Sequence, residues 1–97
     1  MMRLYSIYDS RSHSFGVPFV AVDDSVAQRT VAAALMSTPP DHLYRAFSTD
    51  YELRYLGDLT DDGALSQDVV GGKSIVWLSD LKVPSVGGDV DEVQNVQ

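Results

Sequence analysis

Arg3, Tyr5, Arg11, Tyr51, Arg54 and Tyr55 are the six side chains of this 97-residue chain whose types and placement could do chemistry together. They stand in or beside two stretches of strand-like sequence. A sheet surface that presents Arg and Tyr can stack unpaired bases and hold the phosphates between them. These six are therefore the candidate nucleic-acid contacts. The same tyrosines could instead cover the sheet, each burying a large ring with its hydroxyl at the rim. Both readings stay open at the level of sequence.

Other reactive chemistry finds little material. The chain has no cysteine, which removes disulfide frameworks, thiolate catalysis and zinc-cysteine sites. His13 and His42 lie in separate polar turns, whereas a metal needs three or four convergent ligands, so no metal site is read. Asp58, Asp61, Asp62 and Gly63 resemble a fragment of a calcium loop. The position that should close such a loop with glutamate is Val69, so a hairpin turn is the better reading. Gly71-Gly72-Lys73-Ser74 resembles the end of a phosphate loop, but Gln67 stands where its first glycine belongs. No serine sits in a G-x-S-x-G context, and Asp61-Asp62 has no supporting base for magnesium-assisted phosphoryl transfer. The expectation is a non-enzymatic protein without cofactors.

Charge narrows the partners. Fourteen acids against seven bases give a net −7, which argues against a protein that coats nucleic acid through a broad basic surface. The surplus is local, however. Asp58, Asp61, Asp62, Asp89, Asp91 and Glu92 account for six of it and leave the remainder at −1. A small positive face is thus compatible with the whole. No run approaches the ~18 apolar residues of a membrane span, and the first residues lack a signal-peptide pattern. A soluble intracellular domain is expected, with no membrane partner.

The elements that must position these residues are short. The acids are 12 Asp against 2 Glu, a bias toward caps and turns rather than solvated helix faces. Arg3–Tyr8 alternates as a strand, with Leu4, Ser6 and Tyr8 on one face and Arg3, Tyr5 and Ile7 on the other. Phe15–Val22 reads as a second strand, and Pro18 places its start after that residue or at an edge. Asp23-Asp24-Ser25 caps a helix over Val26–Met36, with Ala27, Val31, Ala34 and Leu35 on its inner side and Pro39-Pro40 ending it. After a connection over 41–50, with a helical turn near Leu43–Phe47, Tyr51–Leu56 resumes alternation with Tyr51, Leu53 and Tyr55 on one face. Asp62-Gly63 marks a hairpin, and Ser74–Leu78 is a last apolar run, strand or packing segment. The expected fold is α+β, a small antiparallel β-sheet in β-β-α-β-β order with one α-helix packed on it. Residues 1–83 form the domain, and 84–97 read as a flexible acidic tail.

Leu4-Tyr5-Ser6-Ile7-Tyr8-Asp9-Ser10, Pro18-Phe19, a helix opening near Asp24 and Asp50-Tyr51-Glu52-Leu53-Arg54-Tyr55-Leu56-Gly57-Asp58 recur in an order that resembles the small nonstructural proteins of gokushovirus-type microviruses. These are tailless phages with circular single-stranded DNA. Arg3 stands where the family usually has lysine, and Val17 replaces the first residue of its double proline. The resemblance covers about residues 1–66. It implies a nonstructural protein that assists viral DNA replication, or the switch from replication to packaging, by binding single-stranded DNA in the host cytoplasm. The alternative is an adaptor that engages the phage replication initiator or a host replication factor. One helix on one sheet leaves an edge or face to cover, so a homodimer is expected.

Overall fold

The computed structural model describes residues 1–81. The segment 84–97, read from sequence as a tail, lies outside the described residues. Six strands and one main helix make an α+β fold. The strands are β1 (Met2–Asp9), β2 (Ser14–Phe15), β3 (Phe19–Ala21), β4 (Tyr51–Leu59), β5 (Leu65–Ser66) and β6 (Lys73–Trp77); the helices are α1 (Asp24–Met36) and the one-turn α2 (Leu43–Ala46).

The two long strands form the spine. β1 pairs antiparallel with β4 along its whole length, from Met2 opposite Leu59 to Asp9 opposite Tyr51. The outer edge of β1 is shared by two short strands: β2 at Tyr8 and Asp9, and β3 at Arg3 to Tyr5. The single second strand expected over Phe15–Val22 is therefore two strands. Pro18 has no N–H to donate, and the chain crosses Gly16–Pro18 without ladder pairing, held by the Gly16 N–H donating to the Ile7 carbonyl. The free edge of β4 is likewise shared by β5 and β6.

Alternation places Tyr5 and Ile7 of β1 with Tyr51, Leu53 and Tyr55 of β4 on the face that α1 covers. The core there consists of Tyr5, Ala21, Ala27, Val31, Leu35, Tyr51, Leu53 and Leu78. The helix buries Ala27, Val31, Ala32 and Leu35. Ala34, expected on the inner side, is exposed, and Ala32 takes its place. The i, i+4 ridge through 27, 31 and 35 widens toward the 28–32 side of the helix rather than toward 34. Asp23 caps α1 as expected, its Oδ1 accepting the Val26 N–H at 2.8 Å.

Bulges and glycines set the register. Leu56 is an extra residue in β4 opposite β1, and Ile75 is an extra residue in β6 opposite β4. A side chain on Gly57 would stand 2.3 Å from the Ser66 carbonyl oxygen, so only glycine lets β5 approach β4. Gly63 adopts φ +90° in the Thr60–Ala64 turn, the hairpin expected from Asp62-Gly63.

Candidate functional site

The six residues singled out in sequence do not form one surface. Arg3, Tyr5 and Tyr55 gather at one end of the helix-covered face. Tyr5 is fully buried, and its hydroxyl donates to Asp24 Oδ1 at 2.6 Å. Arg3 donates to the same oxygen at 3.2 Å, lies 3.9 Å from Asp58 and sits over the Tyr55 ring at 4.3 Å. This cluster ties the first turn of α1 to the sheet. Arg11 and Tyr51 lie at the opposite end of β1 and β4, where Arg11 approaches Asp50 at 3.9 Å. Arg54 alone points to the other side of the sheet. Tyr5 and Tyr51 are core residues, so neither offers a ring face to a base in this arrangement. Tyr5 and Tyr51 thus cover the sheet, while Tyr55 is half-buried.

The buried phenols titrate late. Burial pushes the Tyr5 hydroxyl above its ordinary value, and its hydrogen bond to Asp24 pushes it further. Tyr51 is raised mainly by burial, and Tyr55 mainly by the neighbouring Asp58 carboxylate. Each folded-state pKa is raised, so the contribution of these groups is fully present below about pH 10, where the unfolded phenol also keeps its proton. It is lost as pH rises beyond that. Stability should be flat from about pH 8 to about pH 10, then fall by up to about 1.4 kcal/mol per pH unit for each fully buried phenol. Urea unfolding across that range checks it. Tyr5→Phe should flatten the alkaline decline.

The side of the sheet away from α1 is built differently. Phe15 of β2 pairs with Tyr8 of β1, Tyr8 with Glu52 of β4, and Glu52 with Trp77 of β6. Directly opposed residues share a face, so Phe15, Tyr8, Glu52 and Trp77 form one row across four strands, each about 4.8 Å from the next strand. Phe15 is 42% exposed and Trp77 37%. The Tyr8 and Phe15 rings meet at 4.8 Å. Arg54, in the adjacent row opposite Ser6, lies 5.1 Å over the Tyr8 ring.

Glu52 sits in the middle of this row, only 4% exposed. A buried carboxylate needs a counter-charge and hydrogen bonds. Arg54 supplies both, pairing with Glu52, while the Ser74 hydroxyl donates at 3.3 Å. The Arg54 Nε also donates to the Gly71 carbonyl at 2.8 Å. The Gly71-Gly72 loop, which leads into a strand and not into a phosphate-loop helix, is thereby anchored to the sheet. Sequence reasoning missed Tyr8, Phe15, Glu52 and Trp77. For Tyr8 and Arg54 the signal existed, since strand alternation already sets them out of phase with Tyr5 and Tyr55. Their meeting depends on a register that brings together positions more than forty apart.

The histidines have local roles. His13, at φ 56°, meets the Tyr8 hydroxyl at 3.1 Å, and His42 caps α2 by accepting the Tyr44 N–H. Among the described residues no three His, Cys, Asp or Glu side chains converge in a way that could hold a metal. No helix among them is long and apolar enough to cross a membrane.

Comparison with known proteins gives one family. No curated protein and no solved structure matches the chain. A family profile described as Phage ORF5 protein matches residues 2–81, which reaches past the motif-bearing first 66 residues to take in β6 and Trp77. With most of its length inside that match, the chain belongs to the phage ORF5 protein family.

Proposed function

We propose that this phage protein is a non-enzymatic, nonstructural protein of a gokushovirus-type microvirus that binds single-stranded viral DNA during genome replication or the replication-to-packaging switch. It would act as a homodimer in the host cytoplasm, where the viral DNA is copied. The observation that carries the reading is the aromatic row on the helix-free face, Phe15, Tyr8 and Trp77 with Arg54 beside them. Partly exposed rings at strand spacing on a sheet face free of helix suit successive unpaired bases. The contacts move to this face from the set Arg3, Tyr5, Arg11, Tyr51, Arg54 and Tyr55, of which only Arg54 remains.

Fluorescence anisotropy with labelled poly-dT tests the reading. Trp77→Ala removes a partly exposed ring and should weaken binding by about 5- to 150-fold, since stacking contributes about 1–3 kcal/mol per base. The far-ultraviolet circular dichroism of the variant should be unchanged. Absence of binding at tens of micromolar in low salt would overturn the proposal.

A second reading is the adaptor that engages a viral or host replication protein. It is favoured by one specific observation: Arg3, Arg11 and Arg54 each lie beside a carboxylate, in a chain of net charge −7. Partner bands that survive nuclease treatment in a pull-down would support the adaptor over DNA binding.

A further inference from the structure

Two adjoining hollows lie between the β1–β2 hairpin and the segment α2 to Asp50, beside the Phe15 end of the aromatic row. The first, of about 290 Å³, is lined by Asp9, Arg11, Phe47, Asp50 and Tyr51. The second, of about 240 Å³, lies beside it and shares Asp9 and Tyr51, with Phe15, Leu43 and Tyr44 among its walls. Together they make a groove with aromatic sides and two carboxylates.

The groove contains an unsatisfied group. Tyr51 is 7% exposed, and among the described residues its hydroxyl makes no hydrogen bond. Tyr51 lines both hollows, so its unpartnered hydroxyl is available to a group that enters them. Burial first, then the charges of Asp9 and Asp50 with Tyr44 between them, raise its pKa. It is therefore a neutral phenol facing negative charge. Asp9 stays ionised, because the backbone N–H groups of Arg11 and Ser12 donate to it and hold its pKa down. Phe47, more than half exposed beside these groups, supplies an uncovered ring.

We propose that this groove binds a guanidinium side chain of a partner protein, with Asp50 and Asp9 as counter-charges, the Tyr51 hydroxyl oxygen as a further acceptor and the Phe47 ring as a stacking surface. A planar cation with several N–H donors suits two carboxylates and an aromatic face. The chain itself shows the chemistry: Arg11 stands at the mouth, 3.9 Å from Asp50 with its side chain 78% exposed, too loosely held to fill the site. An incoming arginine would displace it. The site does not depend on DNA binding, and it gives the acidic surface a partner of definite chemistry.

The test is a two-dimensional NMR titration of the full chain with the peptide acetyl-Ala-Ala-Arg-Ala-Ala-amide, against the same peptide carrying citrulline, the neutral isostere of arginine. The arginine peptide should shift the amides of Asp9, Phe47, Asp50 and Tyr51 in a saturable manner, and the citrulline peptide should bind at least tenfold more weakly. Asp50→Asn should cost a similar factor. Phe47→Ala, at an exposed position, gives an independent loss of binding should Asp50→Asn disturb the fold. Arg11→Ala should strengthen binding several-fold by removing the internal competitor. Equal shifts with both peptides, or shifts spread over the acidic surface, would overturn the proposal. Poly-dT that displaces the peptide from these residues would overturn it as well.

Discussion

Arg54→Met is expected to destabilise the domain by about 3–5 kcal/mol, the cost of removing one partner from a buried ion pair. The variant strands the Glu52 carboxylate, which is buried to within 4% and keeps only the Ser74 hydroxyl. It also removes the donor to the Gly71 carbonyl and the cation over the Tyr8 ring. Stability in small domains is about 5–15 kcal/mol in all, so a large share would go. The double variant Glu52→Leu with Arg54→Met removes the stranded charge and should recover most of the loss, because apolar replacement of a whole buried pair is often neutral or better. Urea denaturation of the wild type, both single variants and the double variant measures the coupling. If the double variant is as unstable as the worse single variant, the loss lies in packing and not in the orphaned charge.

The second large effect belongs to Gly72→Ala. A Cβ on Gly72 would stand 2.1 Å from the Tyr55 carbonyl oxygen and 2.9 Å from its carbonyl carbon. Its φ of +72° is strained for any side chain. Both obstacles are backbone, so no rotamer relieves them, and a loss of about 3 kcal/mol is expected from strain and overpacking together. Gly71→Ala is the internal control. Gly71 has φ +85°, and a Cβ added there would meet nothing within 4 Å, so it should lose only about 1–2 kcal/mol. Thermal unfolding of the two variants compares them, and equal losses would show that the close approach of the loop to β4 has no energetic weight. Arg54 grips this same loop, so Gly72→Ala and Arg54→Met should be non-additive.

Much of the fold is legible in local pattern. Alternation in Leu4–Tyr8 and Tyr51–Tyr55, the Asp23 cap and the Asp62-Gly63 turn each follow from near neighbours, and each element forms where those signals lie. The bulges at Leu56 and Ile75 have no such local signature, because a bulge is a property of two strands and not of one. The site is less legible for the same reason. Nearness along the chain groups Arg54 with Tyr51 and Tyr55, yet the pleat sends it to the opposite side. Glu52, an acid in a strand, shows nothing in sequence that distinguishes a buried carboxylate from a solvated one. Only the register that sets Tyr8 and Trp77 on either side of it makes the aromatic row visible.

The pairing of Met2 with Leu59 has a consequence for how the protein is made. The first strand leaves the ribosome early, but its main partner is complete only when residue 59 has been added. At ~5–20 residues per second that interval is roughly 3–11 s. Through it, the polar edges of β1 have only the short strands β2 and β3 to pair with, and the Tyr5 ring waits for Leu53 and Tyr55 to close over it. Local helix formation by α1 can run ahead, while the sheet closes late through contacts distant in sequence. Synthesis order thus leaves β1 without its main partner until β4 is complete.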